Sequence, residues 1–228
     1  MLTLDRIAFR REEFVLHADG SVEGPGIVAV IGPSGGGKST LMSLIAGFEL
    51  PDEGRVCWNG SDLTALAPGE RPVAVLFQDN NLFPHLDAAT NVALGASPRA
   101  RPLPAARERA AEALAAVGLD GMGARMPGEL SGGQQSRVAL ARAFLTDRPL
   151  VLMDEAFSAL GPALRLEMLT LVKSLLADKT VLMVTHDPED ARRVARQTIF
   201  MEDGQLRPAE DTGDLFANPH GALARYLA

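Results

Sequence analysis

The chain has 228 residues, of which 46% are apolar, so it is long enough for one large or two small domains with a real core. Its net charge of −7 argues against nucleic acid as the main partner, because contacts to phosphates need a basic surface. A single cysteine, Cys57, excludes an internal disulfide and a cysteine-based metal cluster, and it fits a reducing compartment. No stretch approaches the roughly 20 apolar residues that span a bilayer, so we expect a cytoplasmic chain whose membrane role would depend on a partner.

Strands and helices are predicted to alternate along the chain. Residues 2–9 favour an opening strand and Phe14 to Leu16 a partner strand, with a turn near Asp19-Gly20. Further strands are predicted at 26–31, 55–58, 73–77, 150–153, 180–184, 199–201 and 205–206. Helices are predicted at 41–47, 105–117, 134–145, 163–176, 188–195, 212–217 and 222–227. Hairpin turns are predicted at Asn59-Gly60 and Glu202-Asp203-Gly204, and a loop between helices at Pro98, Pro102 and Pro104. This alternation implies an α/β fold with a mostly parallel sheet. The alanine-rich stretch at about 88–147 predicts a helical insertion into it.

One stretch fits the phosphate-binding pattern G-x-x-x-x-G-K-[ST], called the P-loop. It runs Gly32-Pro33-Ser34-Gly35-Gly36-Gly37-Lys38-Ser39-Thr40, between a predicted strand and a predicted helix. Its glycines let successive N–H groups turn toward an anion, and the helix N-terminus adds about half a positive charge. Lys38 can reach the β- and γ-phosphates of a nucleotide, and the Ser39 hydroxyl can ligate Mg²⁺. The stretch therefore predicts a nucleotide site.

Polar residues also stand at the predicted carboxyl ends of other strands, where open parallel sheets bind ligands. Asp154 is typical of the acid that holds Mg²⁺ in P-loop proteins, and Glu155 could take a proton from an attacking water. The alternative for this pair is ordinary acidity at a helix start before 156–160. His186 could bond the γ-phosphate region and orient water, or it could be a plain surface histidine. Gln78, by itself, indicates no role.

A second glycine motif, Leu130-Ser131-Gly132-Gly133-Gln134, precedes the helix predicted at 134–145. Ser131 suits a helix cap, and the glycines expose backbone N–H groups, which makes a second anion site. One γ-phosphate does not need two such sites in one chain. A symmetric head-to-tail pair does, because the motif of one subunit can close over the P-loop nucleotide of the other. The alternative is a mere helix cap.

The pentapeptide resembles the signature motif of ABC ATPases, and the chain as a whole resembles an ABC transporter nucleotide-binding subunit. Five features stand in the family's order: the P-loop at 32–40, the Q-loop at Gln78, the signature at 130–134, Asp154-Glu155 and the switch histidine His186. The resemblance implies one nucleotide-binding domain over 1–228. It consists of a RecA-like P-loop NTPase core (1–87 and 148–228), with an N-terminal antiparallel β part and a helical subdomain at about 88–147.

The resemblance also implies site roles with ATP and Mg²⁺. Glu155 would be the catalytic base, assisted by His186 and Lys38, and Gln78 would ligate Mg²⁺ beside Ser39 and Asp154 and sense a membrane partner. The nucleotide would be bound by the P-loop residues, by Gln78 and, across a homodimer, by Ser131, Gly132, Gly133 and Gln134.

More narrowly, the stretch from Leu76 to Leu86 resembles the Q-loop region of bacterial thiamine importer ATPases, as do 126–130 and 157–165. This implies a peripheral subunit at the cytoplasmic face of the inner membrane. Its partners would be a second copy, two transmembrane permease subunits and a periplasmic thiamine-binding protein, with no nucleic acid. The alternatives are the same mechanism with iron, polyamine, sulfate or another vitamin, a soluble ABC ATPase of repair or translation, and a nonhydrolytic regulatory cassette.

Four places depart from the family pattern, one of them the run Gln135-Ser136-Arg137 after the signature, which is less basic than is common. Ala156 replaces the usual proline after the catalytic glutamate, and Gly161 replaces the aspartate that usually ends the D-loop, which could weaken coupling between subunits. Arg11 stands near the place of the adenine-stacking aromatic. Its guanidinium could stack on a purine, or Phe9 or Phe14 could take that role.

Overall fold

A computed structural model describes residues Met1–Ser97 and Pro102–Leu227, so that Pro98 of the predicted loop lies outside the described residues. The chain forms two compact units. The sheet unit comprises 1–73, 149–155 and 177–228, and the helical unit comprises 74–148 and 156–176.

The sheet unit contains most of the strands. Its elements are β1 (Leu2–Arg11), β2 (Phe14–Val22), β3 (Gly26–Ile31), α1 (Lys38–Ala46), β4 (Glu53–Trp58), β5 (Ser61–Asp62), β7 (Leu150–Asp154), β8 (Thr180–Val184), α6 (Pro188–Val194), β9 (Gln197–Glu202), β10 (Gln205–Leu206), β11 (Glu210–Asp211), α7 (Thr212–Ala217) and α8 (Gly221–Leu227). β6 (Val73–Leu76) begins at the boundary. The helical unit holds α2 (Ala88–Ala93), α3 (Pro104–Ala116), α4 (Gly132–Leu145) and α5 (Pro162–Leu175).

The sheet joins a parallel part to an antiparallel part. Its strand order in this unit is β5-β4-β1-β2-β10-β9-β3-β8-β7, with β11 beside β9. β3 runs parallel to β8 and β9, and β7 runs parallel to β8, whereas β1 is antiparallel to β2 and β4. β3, β7 and β8 are continuous apolar runs that are almost fully buried, as expected for parallel strands covered on both faces.

This arrangement confirms the predicted α/β fold with an N-terminal antiparallel part, and it sets the position of the site. Because β3, β7 and β8 are parallel, their carboxyl ends meet at one edge of the sheet. The P-loop, Asp154-Glu155 and His186 follow those three strands.

The turn predicted near Asp19-Gly20 is wrong. β2 runs through both residues, and the turn between β1 and β2 lies at Glu12 and Glu13. The pairing of β1 with β2 shifts register between Leu4 and Ile7, and the Asp19 side chain accepts a bond of 3.3 Å from the Arg6 N–H at this irregularity. The extra residue of this β-bulge lies in β1, where Arg6 has a φ of +48°, and Asp19 stands opposite it in β2. The short elements α2 and β11 were not predicted individually.

The alternative of a helix start after Glu155 is also wrong. Residues 156–160 form turns, and α5 begins only at Pro162. The two acids at 154 and 155 are therefore not explained by a helix that follows them directly.

The far end of α1 is held by the buried guanidinium of Arg71. This side chain is 0% exposed and donates to the carbonyls of Leu44 (2.7 Å) and Ile45 (2.9 Å) in the last turn of α1. It also donates to the carbonyls of Leu66 and Thr64, at 3.1 and 2.9 Å. Burial lowers the pKa of Arg71, and the charge of Asp62 opposes this shift. Carbonyls at a helix end lack partners inside the helix, so a cation there satisfies them and is favoured by the helix dipole.

We expect Arg71→Met to lower the free energy of unfolding by about 3 kcal/mol or more, because the buried carbonyls then lose a charged donor. Urea unfolding of the full chain, followed by circular dichroism, measures this. Arg55→Met is the matched control, since the Arg55 side chain is 58% exposed and pairs with Asp5 at 2.6 Å. An exposed ion pair contributes little to the free energy of unfolding, because water and salt screen it. Equal losses in the two variants would refute the role given to Arg71.

Candidate functional site

The phosphate loop leaves β3 at Gly32 and enters α1 at Lys38. At Gly32, where φ is +147°, a Cβ atom would lie 1.9 Å from the Met201 carbonyl oxygen. At Gly37, where φ is +100°, it would lie 2.8 Å from Cζ of Phe14. The Gly204 N–H also donates to the Gly36 carbonyl at 3.1 Å. The loop thus lies against the β9–β10 turn at a distance that only glycine permits.

Lys38 is folded back onto its own loop. Its Nζ donates to the carbonyls of Gly32 and Pro33, both at 2.8 Å, and the residue is only 6% exposed. Burial lowers the pKa of Lys38, while the nearby charges of Glu155 and Asp154 act to raise it. A cation at this depth makes the loop electropositive toward any anion that approaches its backbone N–H groups.

A cavity of about 270 Å³ opens above the loop. Its lining consists of Phe14, Ser34, Gly35, Gly37, Lys38, Ser39, Thr40 and Glu155. The structure therefore brings most of the predicted loop residues together with Glu155 around one space. Gly32, Pro33 and Gly36 belong to the same loop without lining this cavity.

Among the three residues considered for adenine stacking, Phe14 alone lines this cavity. Phe9 is 7% exposed and belongs to the core, and Arg11 pairs with Glu49 at 2.9 Å. These positions favour Phe14 for contact with a ligand that extends from the loop.

Asp154, at the end of β7, contacts the loop through Ser39. The Ser39 hydroxyl donates to Oδ1 of Asp154 at 3.1 Å. Burial raises the pKa of the Asp154 carboxyl; the bond from Ser39 lowers it, the Glu155 charge raises it, and the Lys38 charge lowers it. A desolvated carboxylate beside a hydroxyl offers two hard oxygen donors, which suits a small divalent cation.

Glu155 and His186 form a second pair at the same edge. Oε2 of Glu155 lies 3.0 Å from Nδ1 of His186. Glu155 takes a left-handed backbone conformation, with φ of +47°, and its N–H donates to the Val184 carbonyl at 3.2 Å. A carboxylate held by an imidazole beside an anion-binding loop can orient and deprotonate a water molecule.

The signature stretch lies in the helical unit at the start of α4. Ser131 caps this helix: its hydroxyl accepts from the Gln134 N–H at 3.4 Å, and its N–H donates to Oε1 of Gln134 at 2.9 Å. This reciprocal capping box confirms the predicted cap. The helix-cap alternative is thus real, but it does not exclude anion binding, because the first N–H groups of a helix remain without partners inside it. Gln78 also lies in the helical unit, exposed, in the turn after β6.

The segment after Gln78 is held by two side chains that sequence reasoning did not single out. Asn91 of α2 is 0% exposed; its amide oxygen accepts from the Phe83 N–H at 2.8 Å, and its amide nitrogen donates to the Phe83 carbonyl at 3.1 Å. Arg142 of α4 donates to the carbonyls of Asn81 and Asn80, each at 3.0 Å. We call residues 80–87 the presented segment, because its backbone is fixed while the Phe83 side chain remains 45% exposed.

Within Met1–Ser97 and Pro102–Leu227, no group of three or more histidine, cysteine or acidic side chains is arranged to hold a metal ion. In the same ranges, no helix combines the length and the apolar character needed to cross a membrane.

A phosphate-binding loop in the sheet unit and a capped signature helix in the helical unit are features of an ATP-binding cassette. The family profile of ABC transporters matches residues 17–158, and the chain belongs to this family. Solved structures of the ATP-binding cassette MJ0796 have the same fold. One shows a dimeric post-hydrolysis state bound to ADP and Pi; it is 30% identical, covers 93% of this chain and 99% of that one, and has a TM-score of 0.78.

Individual relatives extend over the whole chain. A thiamine import ATP-binding protein ThiQ from Cereibacter sphaeroides is 56% identical, over 100% of this chain and 99% of the relative. Proteins of the same name from Ruegeria sp. strain TM1040 and Mesorhizobium japonicum are 52% and 48% identical. They are aligned over 100% and 98% of this chain, and over 99% and 90% of the relatives.

We expect Asp154→Asn to raise the stability of the free chain at pH 7. Folding raises the pKa of the Asp154 carboxyl, so the ionised carboxylate destabilises the folded chain once the pH exceeds that raised pKa. The amide of asparagine carries no charge and removes this destabilisation. The gain should shrink as the pH falls and vanish below the ordinary aspartate pKa of 3.8. Thermal unfolding of both proteins across this pH range measures it. Asp147→Asn, at a side chain that is 89% exposed, should change little. A lower unfolding midpoint for Asp154→Asn at pH 7 would contradict the burial argument.

Proposed function

We propose that this chain is the ATP-hydrolysing, energy-coupling subunit of a thiamine importer. The Glu155–His186 pair is the observation that most directly supports hydrolysis. Oε2 of Glu155 lies 3.0 Å from Nδ1 of His186, and Glu155 lines the cavity above the P-loop. Membership of the ABC transporter family supports ATP as the nucleotide. The relatives are thiamine import ATP-binding proteins, which supports thiamine as the cargo.

The P-loop binds the phosphates of ATP. Gly35 and the residues from Gly37 to Thr40 line the cavity, and the N-terminus of α1 adds positive potential there. The Lys38 ammonium exchanges its bonds to the loop carbonyls for bonds to the β- and γ-phosphates, which are charge-assisted and therefore stronger. Phe14 packs against the adenine, because it lines the same cavity.

The residues present fit a Mg²⁺ ion beside the phosphates. Ser39 and Asp154 would hold it, since a hydroxyl and a carboxylate 3.1 Å apart are oxygen donors of the kind that Mg²⁺ prefers. The ion would supply charge neutralisation at the phosphate oxygens. Gln78 as a further ligand stays a prediction of the sequence.

Glu155 acts as the general base. Its carboxylate accepts the proton of the water that attacks the γ-phosphate, and His186 bonds to Oε2 and keeps the carboxylate turned toward that water. The left-handed backbone at Glu155 is uncommon for a residue with a side chain, which is typical of functional positions.

Two copies of the chain form a head-to-tail homodimer. The N–H groups at the start of α4, with Ser131, Gly132, Gly133 and Gln134, meet the nucleotide bound at the P-loop of the other copy. The dimeric structures of the MJ0796 cassette support this arrangement. The motion of the pair passes to two transmembrane permease subunits, fed by a periplasmic thiamine-binding protein, from the cytoplasmic face of the inner membrane.

The presented segment is the part of the helical unit that we assign to permease contact. Asn91 fixes the backbone on both sides of Phe83, and an exposed aromatic on a fixed backbone loses little conformational freedom on binding. A few such apolar side chains dominate the binding of a partner helix.

We expect Glu155→Gln to bind ATP with wild-type affinity and to lose most of its hydrolysis, because an amide cannot accept the proton. Calorimetry measures the binding and phosphate release measures the hydrolysis. With ATP, this variant should form dimers in size-exclusion chromatography, and adding Ser131→Arg should prevent them by filling the second anion site. Hydrolysis at the wild-type rate would remove Glu155 from the role of base.

Deletion of the gene in a strain that cannot make thiamine should raise the thiamine needed for growth. Phe83→Asp should have the same effect while leaving ATP binding unchanged, because it puts a charge on the proposed contact surface. Leu166→Asp is the matched control, at an apolar side chain of similar exposure (42%) in the helical unit outside the presented segment. Uptake of labelled thiamine measures transport. Unchanged uptake in the deletion, with no second importer present, would exclude thiamine as cargo and leave the ATPase assignment in place.

A further inference from the structure

The helix α8 meets the main chain of the proposed active site through one side chain. The Tyr226 hydroxyl donates to the backbone carbonyl of His186 at 3.1 Å. Its ring packs against Phe200 of β9, with 5.7 Å between ring centroids, and Leu223 of the same helix is 3% exposed. α8 is therefore packed on the sheet unit, with the phenol directed at the main chain of His186.

The phenol lies among the other groups of the site. Burial raises the pKa of Tyr226, an interaction with the Gly32 backbone lowers it, and the charges of Asp187 and Glu155 raise it further. The hydroxyl is thus near the first residue of the P-loop as well as the main chain of His186.

The main chain around His186 is held on either side by different elements. The Thr185 N–H donates to the Val30 carbonyl of β3 at 3.2 Å, and the Asp187 side chain caps α6 by accepting from Glu189 at 2.9 Å. Between them, the His186 carbonyl bonds to Tyr226. The imidazole is 48% exposed, so burial of the ring does little to fix its orientation. The position of the backbone from which the ring projects then determines whether Nδ1 reaches Glu155.

We propose that Tyr226 is a positioning residue for ATP hydrolysis, which holds the His186 main chain so that the imidazole stays bonded to Glu155. This inference rests on the proposed function, and in particular on the role of His186. Tyr226 does not belong to the lining of the cavity above the P-loop, and its hydroxyl bonds to the His186 carbonyl, so we infer that its effect passes through His186. Without this bond the main chain at His186 can shift, and a shift of about 1 Å can lower the rate of catalysis on the order of a hundredfold.

The test compares Tyr226→Phe, His186→Ala and the double variant in the full chain. Tyr226→Phe keeps the ring packing on Phe200 and removes only the hydroxyl. We expect kcat for ATP hydrolysis to fall about fivefold or more, while KM for ATP changes less than about twofold. In the His186→Ala background, adding Tyr226→Phe should change kcat less than about twofold, because the group through which it acts is gone. Single-turnover release of labelled phosphate gives these rates even when they are low.

Arg225→Gln is the control for general loosening of α8, since the Arg225 side chain is 74% exposed and lies 4.0 Å from Glu202. It should leave kcat unchanged. If His186→Ala lowers kcat but Tyr226→Phe does not, the positioning role is refuted while the proposed function stands. If the two losses simply multiply in the double variant, Tyr226 acts independently of His186 and the inference is wrong. If His186→Ala has no effect, both this inference and the role proposed for His186 fail.

Discussion

The buried ammonium of Lys38 is the interaction on which the sheet unit's site depends. Removing a cation from water is costly unless it is hydrogen-bonded and close to negative charge. The loop meets the first need with the Gly32 and Pro33 carbonyls, and the strand ends meet the second with Asp154 and Glu155. The same carboxylates in turn bond to Ser39 and His186. The two carboxylates lie near the desolvated Lys38 charge, and the Ser39 hydroxyl and the His186 imidazole are linked to it through them. An anionic ligand that bonds to Lys38 can therefore change the partners of all these groups.

In the helical unit, hydrogen bonds from single side chains to backbone carbonyls fix the region that we assign to partner contact. Arg142 stands on α4, the helix that begins at the signature, and it holds the backbone of the presented segment at Asn80 and Asn81. The segment that we assign to permease contact is thus bonded to the helix whose start we assign to the second nucleotide. Burial lowers the pKa of Arg142, and breaking its bonds to these carbonyls would leave a desolvated charge without those partners.

Sequence reasoning placed residues on the correct helices, strands and loops where the local pattern alone determines the element. The P-loop, the capping box at Ser131 and the strand ends at Asp154 and His186 are local patterns, and the structure has the expected elements around them. It failed at Asp19-Gly20, because residue types that favour a turn can also stand inside a strand, here opposite a bulge of the neighbouring strand β1. Arg71, Asn91, Arg142 and Tyr226 gave no signal. Each bonds mostly to backbone carbonyls brought near by the tertiary fold, and a carbonyl has the same chemistry at every position in the sequence.

Two departures from the family pattern follow Asp154 and Glu155, at the buried Ala156 and at Gly161. Gly161 caps α5 with ordinary dihedrals (φ −63°, ψ 157°), and a Cβ there would meet nothing within 4 Å, so the backbone does not require glycine. A proline at 156 would restrict the backbone of Glu155, whereas alanine leaves it to be set by the bonds to Val184 and His186. Glu155 keeps both bonds without the proline. The backbone around these two departures therefore gives no support to the alternative of a nonhydrolytic cassette.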